Sequence, residues 1–197
     1  MKKYFPVVRH INVPNTVTTI GLACGIAACY YLLAGSLRST LICLSLAMLM
    51  DLLDGFFAEK LNSQTNFGKS LDSLVDSFTC CIMPVLMAFN FVGTTPLLIG
   101  GAAFFCICGL WRLANFNVTS AEGAKHFTGM PVPGAAMLAA MAMWAVVYYG
   151  LPVWVCVAAF VLAGFLMLSF LQLEKYGAWQ KVFWLIGIGF WAVIVLS

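Results

Sequence analysis

Charge is what this sequence has least of. Only 9% of its 197 residues are Asp, Glu, Lys or Arg, while 63% are apolar; soluble chains carry about 25% charged residues. With a mean hydropathy of +0.99, that scarcity excludes a soluble globular domain. Linkers and repeats are lacking as well. No polar stretch is long enough to separate two units, so residues 1–197 read as a single domain. CxxC pairs and Cys/His clusters are also missing, and all eight cysteines lie inside apolar runs. Cysteine in such surroundings packs as a small hydrophobe, so neither a disulfide framework nor a zinc site is expected.

Long apolar runs are what the chain has instead, at residues 16–33, 41–57, 71–92, 97–113, 132–149, 153–173 and 182–196. A spanning helix takes roughly 20 residues, and shorter ones are tolerated. The pattern predicts an all-α polytopic membrane helix bundle of six or seven spans. The first run exceeds the roughly 7–15-residue core of a cleaved signal peptide and is followed by many others, so it is expected to stay in the mature protein. If all seven cross, Lys2, Lys3, Arg9, Lys60, Lys69, Arg112, Lys125, Lys175 and Lys181 share one side, and Arg38 takes the other. Positive flanks favour the cytoplasm. The N-terminus, the 60–69 loop and the 115–127 segment are therefore expected to be cytoplasmic. The net charge of +3 is accounted for by orientation and anionic headgroups, and nothing points to nucleic acid.

The N-terminal "MKKYFPVVRHINVPN" reads as an interfacial amphipathic segment or a plain topogenic flank, with Asn15 or Thr16 expected to cap the first span. The six tryptophans lie mostly near run ends, as an aromatic belt would have them.

Against this background the acids are concentrated. "DLLDGFFAEKLNSQTNFGKSLDSLVD", residues 51–76, holds Asp51, Asp54, Asp72 and Asp76, four of the seven acidic residues. Successive helical residues turn by about 100°, so Asp51, Asp54, Gly55 and Ala58 share a face near the end of the second span. Gly68, Asp72 and Asp76, at i, i+4 and i+8, share a face of the next helix. The short connection makes these helices antiparallel neighbours, whose acidic faces can meet across about 8–10 Å.

Each carboxylate inside a bilayer costs roughly 2.5–3.5 kcal/mol, and no basic residue lies on either acidic face. A cation from outside is expected. Oxygen ligands suit Mg²⁺, Mn²⁺ or Ca²⁺, and two such ions about 3.5–4 Å apart can share four carboxylates and hold a diphosphate. Gly55, Ala58 and Gly68 would let a bulky polar ligand approach the backbone. The residues alone leave three readings open: metal-dependent catalysis, a cation pathway in a transporter, or a structural ion-pair network.

The spacing DxxDGxxAR, eight residues, then GxxxDxxxD is the signature of the CDP-alcohol phosphatidyltransferases, and this chain resembles it at Asp51, Asp54, Gly55, Ala58, Gly68, Asp72 and Asp76, seven of eight fixed positions. Further stretches resemble the phosphatidylserine synthase branch. These are "VPNTVTTIGLACG" with Pro14, Asn15, Thr18 and Gly25, then "RLANFN" at 112–117, then "FTGMPVPGAA" at 127–136. The resemblance implies a six-helix core, here with an additional C-terminal span from the seventh run, a homodimer, and a cytoplasm-facing cavity open sideways to lipid.

By the same resemblance, CDP-diacylglycerol binds with its nucleotide near Asn15, Thr18, Gly55, Ala58 and Gly68. Its diphosphate lies on Mg²⁺ or Mn²⁺ held by Asp51, Asp54, Asp72 and Asp76, with Asp76 also the general base. L-serine is the implied acceptor, with glycerol phosphate, inositol phosphate or another small alcohol as alternatives. Arg112, Lys125 and His126 stand where a lipid phosphate or the acceptor could be held. Two positions depart from the family pattern: Glu59 and Asn115 replace arginines. Lysine at 60 does not reproduce arginine's bidentate grip.

Overall fold

A computed structural model describes residues 6–121, 126–170, 172–174, 187, 189, 190 and 192–194 of the chain. Six helices follow one another: α1 (Val13–Leu33), α2 (Leu37–Lys60), α3 (Asn66–Phe91), α4 (Pro96–Ala121), α5 (Val132–Tyr149) and α6 (Trp154–Leu168). The first five are long and apolar enough to cross a membrane, and α6, at 15 residues, is a shorter apolar helix. The molecule is a multi-pass all-α membrane bundle. Its one ladder among the described residues is small: β1 (His126–Thr128) pairs antiparallel with β2 (Gln172–Glu174). The seventh apolar run lies mostly outside the described residues.

Local chemistry explains the helix starts. The cap of α1 is Asn12, rather than Asn15 or Thr16 as the apolar run suggested. Its side chain accepts from the Asn15 N–H at 2.8 Å, and Pro14 occupies the first turn, where its fixed φ suits a helix and its missing N–H is not needed. The helix thus begins before the apolar run, and the Asn15 side chain is released to donate to the His10 carbonyl at 2.7 Å. Gly35, at φ +73, turns α1 tightly into α2. Thr65 caps α3 by accepting from the Gly68 N–H at 3.0 Å.

Helix α3 widens to π-helical geometry over Ser77–Ile82, immediately after Asp76. Pro84 follows and withdraws one N–H from the backbone ladder, which the shifted register accommodates.

Two further sequence expectations are corrected. The 153–173 run is not one helix: Ser169 is extended (φ −68, ψ 154) after Leu168, and residues 172–174 leave to pair with β1. Trp144 is not in an interfacial belt but buried, stacked on Tyr148 at 5.2 Å. Trp111 and Trp154 are exposed, as a belt requires, and Trp179, Trp184 and Trp191 lie outside the described residues.

Tight turns from α1 to α2, α2 to α3, α3 to α4 and α5 to α6 make each of these pairs reverse direction, so that α1 and α3 start, and α2 and α4 end, at one end of the bundle. The core behind it is filled by Phe105 and Phe160, whose rings meet at 5.1 Å, with Met83, Met87 and Met143. Gly21 on α1 faces the Met50 side chain and the Ala47 carbonyl of α2, the close approach that small residues permit between membrane helices. Arg9, Lys60 and Lys69 lie at the shared end, and Arg38 starts α2 at the other.

Candidate active site

The acidic faces of α2 and α3 do meet. Asp51, Asp72 and Asp76 each bring a carboxylate oxygen within 4.8 Å of the others. Both helices pack on α1, and the carboxylates reach one another across the space between α2 and α3. Asp54 lines the same pocket with Thr18, Gly21, Ala47, Val75 and Thr79. Its carboxylate, however, accepts a hydrogen bond from the Thr18 hydroxyl of α1 and stands apart from the trio.

Burial makes the trio costly. Asp76 is 7% exposed, and the nearest thiol, that of the buried Cys80, donates to its Oδ1 at 3.8 Å. Asp72 Oδ1 is buried and has no hydrogen-bond partner among the described residues, and an unsatisfied buried acceptor of this kind costs about 1–3 kcal/mol.

A third helix contributes a counter-charge that the two acidic faces did not reveal. Arg112 of α4, 9% exposed, faces the charges of Asp76, Asp51 and Asp72. Its Nε has no hydrogen-bond partner among the described residues, and its guanidinium lies 5.6 Å from the centre of the Phe116 ring. Reading each acidic face alone concealed this role of Arg112, since the opposite charges approach across helices. One guanidinium does not balance four carboxylates. An oxygen-only donor set with an orphaned Asp72 oxygen fits hard divalent cations.

Ser73, between Asp72 and Asp76 in sequence, donates to Asn117 Oδ1 at 3.0 Å and so ties α3 to α4 beside the acids. Sequence reasoning did not single out this pair. Its only signal was Asn117's place at the end of "RLANFN".

The remaining candidates divide. Asn15 and Gly68 are brought into contact, Asn15 Oδ1 lying 2.8 Å from where a Gly68 Cβ would stand. Gly55 is exposed with nothing within 4 Å of its Cβ position, and Ala58, one turn on, is half-buried. His126 begins β1, its backbone paired in register with Glu174, and Lys125 lies outside the described residues. Glu59 and Asn115 are exposed, and the Lys60 ammonium sits 5.5 Å over the Phe56 ring.

The description of CDP-alcohol phosphatidyltransferases fits residues 11–171. The chain belongs to that family. Membership places it among phosphatidyltransferase enzymes of phospholipid synthesis. Over 127 residues it is 33% identical to the CDP-diacylglycerol–serine O-phosphatidyltransferase of Bacillus subtilis (strain 168), covering 64% of this chain and 71% of that protein. It is 32% identical to the archaetidylserine synthase of Methanothermobacter thermautotrophicus over 64% of this chain and 55% of that one. It is 30% identical to the serine O-phosphatidyltransferase of Saccharomyces cerevisiae over 66% of this chain and 52% of the yeast protein. The chain thus spans about half the length of the last two.

Proposed function

We propose that the chain transfers the phosphatidyl group of CDP-diacylglycerol to L-serine, yielding phosphatidylserine and CMP. The supporting observation is the convergence of Asp51, Asp72 and Asp76, with Asp72 Oδ1 unpartnered, in a member of this family. The acceptor follows from the serine-specific names of its relatives.

When bound by Asp51, Asp54, Asp72 and Asp76, Mg²⁺ or Mn²⁺ supplies positive charge to the diphosphate oxygens, and Ca²⁺ suits the same ligands. The protein's residues do the rest. A serine hydroxyl is a poor nucleophile at neutral pH and needs a proton acceptor within reach. Asp76 takes that proton as the hydroxyl oxygen bonds to the phosphorus carrying diacylglycerol, and the bond from that phosphorus to the CMP oxygen breaks. Thr18 holds Asp54 in place. Arg112, with Lys125 and His126, receives the lipid phosphate or the serine carboxylate, since a guanidinium matches either anion. Gly55, Ala58, Gly68 and Asn15 line the nucleotide end.

The site faces the cytoplasm at the positively flanked end of the bundle. The 197 residues act as one unit in the cytoplasmic membrane, paired as a homodimer, with membrane lipids as the remaining partners.

The test is CMP release from CDP-diacylglycerol by the purified protein with Mg²⁺ or Mn²⁺, offered L-serine, glycerol phosphate or inositol phosphate in turn. Release with L-serine alone is expected. Release with another alcohol reassigns the acceptor. Metal flux into liposomes without any nucleotide turnover makes the chain a cation transporter.

A further inference from the structure

At the end of the bundle where α1 and α3 begin lies a contact that the proposed reaction leaves unused. The rings of His10 and Phe67 stack face to face, centroids 4.2 Å and planes 11° apart. His10 ends the short 3-10 turn Pro6–His10 ahead of α1, and Phe67 lies in the first turn of α3. Arg9 Nε donates to His10 Nε2 at 3.0 Å, so the imidazole is held at its edge as well as its face. The backbone carbonyl of the same His10 accepts from Asn15 Nδ2 at 2.7 Å.

This clasp decides which way a buried amide points. Asn15 is 6% exposed, and the two ends of its side chain are chemically opposite, one a donor and the other an acceptor. With Nδ2 engaged by His10, it is Oδ1 that faces Gly68, the residue after Phe67. Gly68 precedes Asp72 by four residues, about 6 Å along the helix. A nucleoside that runs from a diphosphate at Asp72 along α3 towards the start of that helix would reach Asn15.

We infer that His10, clasped on Phe67, is a positioning residue that sets the acceptor oxygen of Asn15 towards the nucleoside end of the pocket. The inference rests on the proposed reaction, which places the diphosphate at Asp72. The chemistry that such an oxygen recognises is an N–H donor. The exocyclic amine of cytosine supplies one, whereas uracil presents a carbonyl acceptor at the same ring position.

The experiment measures binding of CMP and of UMP to the full-length protein in detergent with Mg²⁺, by calorimetry. Wild type is compared with His10→Ala, His10→Phe, Phe67→Leu, Asn15→Ala and the Asn15→Ala/Phe67→Leu double variant. Loss of one well-set hydrogen bond corresponds to about a three- to tenfold weakening. That loss is expected for CMP in His10→Ala and Phe67→Leu, with UMP little changed. His10→Phe, which keeps a ring on Phe67, is expected to bind CMP as wild type does, and the double variant no worse than Asn15→Ala. Unchanged CMP binding in His10→Ala and Phe67→Leu overturns the inference while leaving the reaction standing. So does an equal loss for CMP and UMP, which marks a merely structural clasp. A wild-type protein that binds no CMP overturns the reaction and the inference together.

Discussion

Thr18 on α1 donates its hydroxyl to the carboxylate of Asp54 on α2, a partner 36 residues away. Both side chains are buried, so the bond joins the first helix to the acidic pocket. Asp54 lines the same pocket as the three clustered carboxylates without joining their cluster. Thr18→Val keeps the shape and removes the hydroxyl donor, leaving the buried carboxylate with only the Gly55 N–H, at a cost of about 1–3 kcal/mol. Thermal unfolding in detergent is expected to show that loss, with CMP release falling in parallel. Thr18→Ser, which keeps the hydroxyl, is expected to recover most of both. Equal behaviour of the Val and Ser variants would mean that the bond contributes nothing.

The trio makes a different prediction, one that reads metal without reading turnover. A ligand bound only by the folded state stabilises it by about 2.7 kcal/mol at a hundredfold excess over its dissociation constant. Mg²⁺ or Mn²⁺ is therefore expected to raise the unfolding temperature of wild type, and EDTA to reverse the rise. In Asp51→Asn/Asp72→Asn, which lacks two of the three clustered carboxylates, the rise should vanish. Its persistence there would place the ion elsewhere. Asp76→Asn is expected to abolish CMP release while the protein remains folded.

Much of this was legible in the sequence, for reasons that differ from residue to residue. The spans follow from apolar runs, because a bilayer demands length and little else. The meeting of Asp51 with Asp72 and Asp76 follows from helical periodicity and a short loop. What periodicity cannot supply is rotation and tilt between helices, and these decide that Asp54 turns to Thr18 and that Arg112 of α4 faces the acids. The apolar run alone points to Asn15 or Thr16 as the start of α1, although Asn12 and Pro14 carry the capping signal. The end of α6 was hidden because residues 169–173 are as apolar as a span. Their departure depends on pairing with β1, some 45 residues earlier in the chain.

Gly55 and Gly68 occupy matching places in the sequence pattern but not in space. A Cβ on Gly55 meets nothing within 4 Å, whereas one on Gly68 would stand 2.8 Å from Asn15 Oδ1 and 3.2 Å from Thr65 Oγ1. Gly55→Ala is therefore expected to leave the unfolding temperature unchanged or raised, since alanine favours a helix by up to about 1 kcal/mol over glycine. It should still weaken CMP binding if the nucleotide lies against that backbone. Gly68→Ala is expected to lower stability and binding together. A Gly55→Ala protein with wild-type CMP affinity would remove Gly55 from the nucleotide contacts.

Gly129 and Gly150 allow backbone strain to be separated from crowding. Both hold left-handed backbone, at φ +78 and +66, where a side chain costs roughly 1–2 kcal/mol. Around Gly150 there is open space, whereas a Cβ on Gly129 would come within 2.2 Å of the Met167 carbonyl oxygen and 3.3 Å of that of Ser169. Backbone cannot swing aside as a flexible side chain can. The neighbouring Met130 N–H, bonded to the Leu166 carbonyl at 2.9 Å, and the β1–β2 pairing hold the same junction from both sides. Gly150→Ala is expected to cost no more than the strain, and Gly129→Ala several times as much, in thermal unfolding of the detergent-solubilised protein. The larger loss should come with a fall in CMP release, because the strand that Gly129 follows begins at His126, the residue proposed to help receive the acceptor. Equal losses at the two glycines would show that residues 126–130 do not dock on the end of α6, and the account of that junction would have to be abandoned.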